Sequence, residues 1–231
     1  MILDQLEIKK KLLSLKSYLP DFNEKVKFEN HKIKINYSNN KFDINGNGEL
    51  LINKKPDLLI YQISKKNDQF FFETKINLLN QRLLIEPLDL KKEISSDSSI
   101  LIKGNFKKND KIIFESISFK EKNNKILIKN LILSKDFKFK DIDSFDIDYL
   151  NNNKIRNQLT LKKDKLNFII EGKNFDASRL INQLVDGDDK DSSIFDNLNT
   201  KINFKIKKIY IDEINFINKL SGIINFKNNE I

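Results

Sequence analysis

Lys201-Ile202-Asn203-Phe204-Lys205-Ile206 alternates polar and apolar residues without a break, which is the period-two signature of a strand with one greasy face and one wet face. Working outward, the same rhythm returns in Lys32-Ile33-Lys34-Ile35-Asn36-Tyr37, in Lys138-Phe139-Lys140 and in Lys165-Leu166-Asn167-Phe168-Ile169-Ile170. Polar turn signals separate the runs at Ser38-Asn39-Asn40, Asn53 to Asp57, Lys66-Asn67-Asp68, Lys108-Asn109-Asp110, Lys122-Asn123-Asn124, Asn151-Asn152-Asn153 and Lys163-Asp164. Most intervals hold one or two strands, so a long antiparallel meander is the economical topology.

The chain has 231 residues, enough for a substantial core, and all-β architectures of this size can form one domain. Its 18 Phe and dense Ile and Leu argue against disorder, although 32% of residues are charged. The vocabulary of catalysis is thin: one His, no Cys and no Trp. Zero Cys excludes a disulfide framework and thiolate metal sites. The reading is therefore not an enzyme, with no cofactor and no metal. The net charge of +9 raises nucleic acid as a partner, but the basic residues are mostly Lys alternating with Ile and Phe along strands. That spreads them over a solvated face, where phosphate tracking wants a concentrated basic footprint. Lys, Asn and Ile are inflated together while Gly and Pro are scarce, the bias an AT-rich coding sequence produces, and no nucleic-acid partner is expected. No uncharged apolar run approaches the roughly 20 residues needed to cross a bilayer. Met1 to Glu7 carries acids where a secretory signal has its basic start, so any signal or anchor is expected outside this chain.

Residues 1–20 are expected to form an N-terminal helix, with an imperfect stripe of Ile2, Leu3, Leu6, Leu13 and Leu15 ended by Pro20. Residues 21–231 are expected to form a repetitive β-sheet domain, with a helix and an acidic loop at 174–199. Phe175, Leu180, Ile181 and Leu184 switch to helical spacing there, and Asn174 or Asp176 could cap the helix. Asp186, Asp188 and Asp191 around Gly187 resemble a calcium loop superficially, but the spacing departs from the twelve-residue pattern and no terminal Glu completes it.

The stretch Ile170-Glu171-Gly172-Lys173-Asn174-Phe175-Asp176-Ala177-Ser178-Arg179-Leu180-Ile181, with the polar insert and strands that follow, resembles the interior of AsmA-like bacterial envelope proteins of the YhdP and TamB type. Gly172, Asp176, Leu180 and Ile181 sit at that family's steps: a strand ending in Gly, an Asp four residues later, and a short helix with a Leu-Leu or Leu-Ile pair. Asn124 to Leu133 looks like its repeated strand pattern. The resemblance covers roughly residues 30–231, most clearly after Lys111, and makes the chain an internal fragment. It implies a long curled sheet forming an open hydrophobic groove. It implies transport of phospholipids between inner and outer membranes, in the periplasm, with inner-membrane anchoring through a segment outside this chain. The expected lining residues are Ile126, Ile128, Leu166, Phe168, Ile170, Ile202, Phe204 and Ile206. Burying acyl chains against such a face recovers about 0.8 kcal/mol per methylene. The same residues could instead fill a closed barrel or sandwich with a structural or protein-binding role.

Three other features are weaker. Gly46-Asn47-Gly48 reads as a strand turn, lacking the third glycine and the following helix of a dinucleotide loop. His31 reads as a surface residue without a nucleophile or carboxylate beside it. Asp141 and Asp143 alternate on one face, as solvated residues do.

Overall fold

β-Branched and aromatic residues at alternate positions stiffen the chain in extended form, and Asn, Asp and Lys turns reverse it. The computed structural model describes residues 2–8, 15–22, 25–39, 41–186 and 199–226. A meander opens with β1 (Ile2–Ile8), β2 (Val26–Ser38), β3 (Lys41–Leu51), β4 (Pro56–Lys66) and β5 (Gln69–Asn77). The small hairpin β6 (Leu83–Ile85) and β7 (Leu90–Lys92) leaves the sheet, with one 3-10 turn at Glu86–Leu88 between them. The sheet resumes with β8 (Ser98–Lys107), β9 (Ile112–Glu121) and β10 (Asn124–Leu133). Then follow the short β11 (Phe139–Asp141), β12 (Ser144–Leu150), β13 (Arg156–Asp164), β14 (Asn167–Asp176), β15 (Thr200–Tyr210) and β16 (Phe216–Phe226). Among the described residues the helices are α1 (Leu15–Tyr18) and α2 (Ser178–Asp186).

All but the β6–β7 pair belong to one 14-stranded sheet that is not closed into a barrel. Thirteen strands lie in line from β1 to β16, with β11 paired to β10 off that path. At about 4.8 Å per step, thirteen strands span an arc of roughly 58 Å. Neighbours are antiparallel throughout except β14 and β15, which are parallel and joined by the α2 segment. The meander expected from the turns is thus corrected at one junction: a helix between two strands lets the second return in the direction of the first.

The expected helix over residues 1–20 is also corrected. Ile2–Ile8 forms a strand pairing Leu3 with His31 and Leu6 with Phe28, and the described helix there is only Leu15–Tyr18. The open edge of β2 offers a row of unmet donors and acceptors, and those ladder bonds outweigh a weak helical stripe.

Directly opposed residues share a face, so register shows how the apolar residues line up. One row crosses the sheet as Gly48, Leu59, Ile76, Ile100, Phe119, Ile126, Ile147, Leu159, Gly172, Ile206 and Leu220. A second row, two residues along, contains Gly46, Tyr61, Thr74, Ile102, Ile117, Ile128, Phe145, Leu161, Ile170, Phe204 and Gly222. Bulges preserve the parity: one between Glu29 and Lys32 in β2, where Asn30 takes φ 55°, and one opposite Lys103 and Gly104 in β9 leave Phe28 and His31, and Phe114 and Ile117, on the apolar face although three apart.

Five glycines sit on this face, each beneath a large neighbour. Gly46-Asn47-Gly48 is accordingly the middle of β3 and not a turn, with Tyr61 over Gly46 and His31 over Gly48. His31 is therefore buried, at 1% exposure, and not a surface residue; its Nε2 lies 3.0 Å from the Glu49 carbonyl oxygen. At Gly104 a Cβ would meet the Ile113 carbonyl oxygen at 2.3 Å and the Phe72 ring at 2.8 Å. Gly104→Val is expected to cost about 2–3 kcal/mol in a urea titration, because backbone cannot move aside as a side chain can. Lys103→Gln, on the opposite face, is expected to stay within about 0.5 kcal/mol.

Candidate functional site

The apolar face is covered along one side and open along the other. Its first row is capped by Leu19 and Phe22 after α1, by Leu83, Ile85, Leu88 and Leu90 of the β6–β7 hairpin, and by Ala177, Leu180 and Ile181 at α2. Phe119, Ile126, Ile147 and Ile206 are buried there, and Leu50 and Leu59 pack under Phe22.

Polar contacts clamp this cap. The Tyr149 hydroxyl, fully buried, donates to the Leu88 carbonyl at 2.6 Å; burial raises its pKa, with Asp176 and Asp89 adding to the shift. Ser96 Oγ donates to Glu121 at 2.6 Å, and Asn152 Nδ2 donates to Asp89 at 3.0 Å. Lys92 is fully buried and donates to the Gln81 carbonyl at 2.6 Å. Desolvation pushes its pKa down against the pull of Asp57, Glu121, Asp97 and Glu93. Arg82, just before β6, donates through Nε to Asp21 at 2.8 Å and through its other guanidinium nitrogen as well, tying the hairpin to the end of α1. That hydrogen bond holds the Asp21 carboxyl below the usual aspartate range.

Two further rows lie beyond the cap. One runs Ile35, Ile44, Ile63, Phe72, Gly104, Phe114 and Leu131; the next runs Tyr37, Phe42, Lys65, Phe70, Phe106, Ile112, Leu133 and Phe139. Their rings form a ladder across strands. Phe42 meets Phe70 edge-on at 5.9 Å, Phe70 stacks on Phe106 at 5.0 Å, and Phe72 meets Phe114 edge-on at 5.8 Å. These rings are only half-buried, while Ile35 is 53% and Tyr37 73% exposed. Rings of this kind offer a dry, weakly directional surface suited to hydrocarbon. The opposite face of the sheet mixes charged side chains with half-exposed aliphatic ones: Leu58, Ile60 and Leu101 lie on it at 44%, 43% and 37% exposure. It holds two shallow concavities of about 650 and 660 Å³, the first lined by Lys32, Lys34, Lys75, Glu73 and Ile60 among others, the second by Lys125, Lys205, Asp148 and Glu171 among others.

Seven of the eight expected lining residues share the apolar face: Ile126, Ile128, Phe168, Ile170, Ile202, Phe204 and Ile206. Ile126 and Ile206 are core beneath the cap, Phe168 and Ile202 are also buried, and Ile128, Ile170 and Phe204 are half-buried. Leu166 is the exception, placed in the β13–β14 turn at 85% exposure because the strand pairing stops at Asp164 and Asn167. The half-exposed aromatic rows lie instead on β2 to β5 and β8 to β10. Their signal in the sequence was the spacing of Phe70 and Phe72, and of Ile112 and Phe114.

The motif residues are architectural. Gly172 lies under Leu159, and Leu180 and Ile181 pack against the capped core. Asp176 accepts from Asn151 Nδ2 at 2.7 Å and from the Ser178 backbone N–H and hydroxyl at 3.1 and 2.6 Å, capping α2. Of the acidic insert, residues 187–198 lie outside the described residues. Among the described residues no group of His, Asp and Glu is placed to hold a metal ion, and no helix is long and apolar enough to cross a membrane.

The chain matches no family model, no curated protein and no solved structure. The function must therefore be argued from this face.

Two expectations concern the cap. Tyr149→Phe leaves the Leu88 carbonyl unpaired in a dry site, and is expected to lower stability by about 1–2 kcal/mol in denaturant melts. Asp21 has a lower pKa folded than unfolded, so its contribution is present above the unfolded value near pH 4 and fades as pH falls through the folded value. Amide exchange at Leu84 to Leu90 is expected to accelerate through that acid window in the native protein. In Arg82→Met the exchange is expected to be faster at neutral pH already, with a flatter pH dependence.

Proposed function

We propose that the open apolar face binds the acyl chains of phospholipids. One observation carries this reading: apolar rows run in register across the sheet, and where the cap ends they continue as a half-exposed aromatic ladder. Hydrocarbon laid across this surface loses contact with water without needing a matched polar group, so a chain can shift along it at little cost. Phosphate and glycerol groups would remain at the rim, in solvent.

The resemblance of the segment around Gly172, Asp176, Leu180 and Ile181 to AsmA-like proteins supports the same reading and gives it a setting. The chain is then a segment of a bridge-like envelope protein, working in the periplasm between inner and outer membranes and anchored through regions outside this chain. Its role would be conduction, which asks for no reacting side chain and no cofactor.

Native mass spectrometry of protein purified from a Gram-negative host, with lipid extraction of the same sample, tests the proposal. Wild type and Ile60→Asp, a change on the opposite face, are expected to carry phospholipid. Phe106→Asp, in the ladder, is expected to retain about tenfold less, equivalent to losing contact with roughly two methylenes at about 0.8 kcal/mol each. Lipid-free wild type, or equal lipid in the two variants while both keep the wild-type circular dichroism, would overturn it.

A further inference from the structure

We propose that the lysine-rich turns bordering the aromatic ladder bind the phosphate of an anionic phospholipid whose acyl chains lie on the open rows. The inference rests on the acyl reading of that face and adds a headgroup class to it. The strands reverse at two ends of the sheet, and the ends differ in charge. At the ladder end, Lys41 and residues 65–68, 107–111, 134–141 and 162–165 together hold twelve lysines against five aspartates. At the capped end, residues 52–57, 78–97, 121–124, 150–156, 176–182 and 211–215 hold nine basic and nine acidic residues. Alternation spreads other lysines over the sheet, but the turns gather these along one border. Successive turns stand about 10 Å apart, two strand spacings, which is close to the screening length of about 10 Å at 0.1 M salt, so their fields overlap.

One lysine stands within the ladder itself. Register places Lys65 between Phe42 and Phe70, in the last row of the apolar face before the turns. Its ammonium lies 5.7 Å from the centre of the Phe70 ring, and among the described residues no carboxylate pairs with it. Lys163, also on this side of the rim, is by contrast paired with Asp141. A half-buried ammonium beside hydrocarbon is matched by a phosphate oxygen, whereas a second ammonium on the headgroup would be repelled. The length of the open rows fits this orientation. From Ile102 in the second row to Phe106 in the fourth is four residues, about 14 Å, close to the roughly 15 Å of hydrocarbon in one bilayer leaflet. A lipid laid along the strands with its chain ends toward the cap therefore carries its phosphate to the turns. The reverse orientation would press the phosphate against Leu83, Leu88 and Leu90 of the hairpin.

Lipid selection by the full chain tests it. The purified protein is incubated with vesicles of equal phosphatidylglycerol and phosphatidylethanolamine of matched acyl chains. The vesicles are then removed and protein-bound lipid is measured by native mass spectrometry. Wild type is expected to hold phosphatidylglycerol about fivefold over phosphatidylethanolamine, a preference of about 1 kcal/mol. Raising the salt from about 0.05 M to about 0.5 M is expected to bring that ratio toward one. Lys65→Gln is expected to cut the ratio by about half or more while leaving total lipid unchanged. Lys54→Gln/Lys55→Gln, at the capped end, is expected to leave the ratio as it is. None of these side chains is buried, so circular dichroism is expected to be unchanged. Wild type that binds both lipids equally overturns the rim proposal and leaves the acyl reading standing. So does a ratio untouched by Lys65→Gln, or one lowered as much by the capped-end variant. Wild type that takes up neither lipid overturns both.

Discussion

Parity is the constraint on which this structure depends. Side chains on a strand change face at every residue, so a slip of one residue at any junction would send the apolar row of the next strand into water. With no closure to enforce alignment, each of the twelve junctions between β1 and β16 must hold its own register. The turns set most of them. Where β2 has a residue too many, at Asn30, a left-handed residue takes it up. Asn tolerates that conformation better than a branched residue would, and the apolar face passes through uninterrupted.

The inner face is also limited by volume. Tyr61, His31, Phe72, Leu159 and Phe204 each lie over a glycine on the adjacent strand, so large and absent side chains alternate across the rows. The chain has only six glycines, and five of them are spent here. Over this tight surface the cap is held by groups that are polar but dry: the hydroxyl of Tyr149, the ammonium of Lys92, the carboxylates of Asp89 and Asp176. Each is matched to a carbonyl, an amide or an opposing charge, and it is this matching that makes their burial tolerable.

Local chemistry is what could be read in the sequence. Alternation located the strands, the Asn and Lys turns located the reversals, and the stretch from Phe175 to Ile181 announced a helix that Asp176 caps. Seven of eight candidate face residues follow from period two alone. What escaped depends on distant partners. His31 looks exposed by its neighbours Asn30 and Lys32, and is buried because a bulge turns it over Gly48 on another strand. Ile2–Ile8 is a strand because β2 has an edge to offer. The hairpin at Leu83–Lys92 reads like any other pair of strands; nothing local says that it leaves the sheet to lie across it. The lipid proposal is not legible in any single residue: the resemblance around Gly172, Asp176, Leu180 and Ile181 implies it, and the rows taken together support it.

The lone parallel junction divides the molecule in time as well as in space. Each antiparallel step from β8 to β14 joins strands that are near neighbours in sequence, so ordering can spread from turn to turn at a small entropic cost. β15 reaches β14 only after a crossover running from Asp176 to Thr200, while its pairing with β16 needs just the short reversal between Tyr210 and Phe216. The last two strands are thus local to each other in sequence but tied to the rest by the core, where Ile206 and Ile209 pack with Phe175 and Ile147.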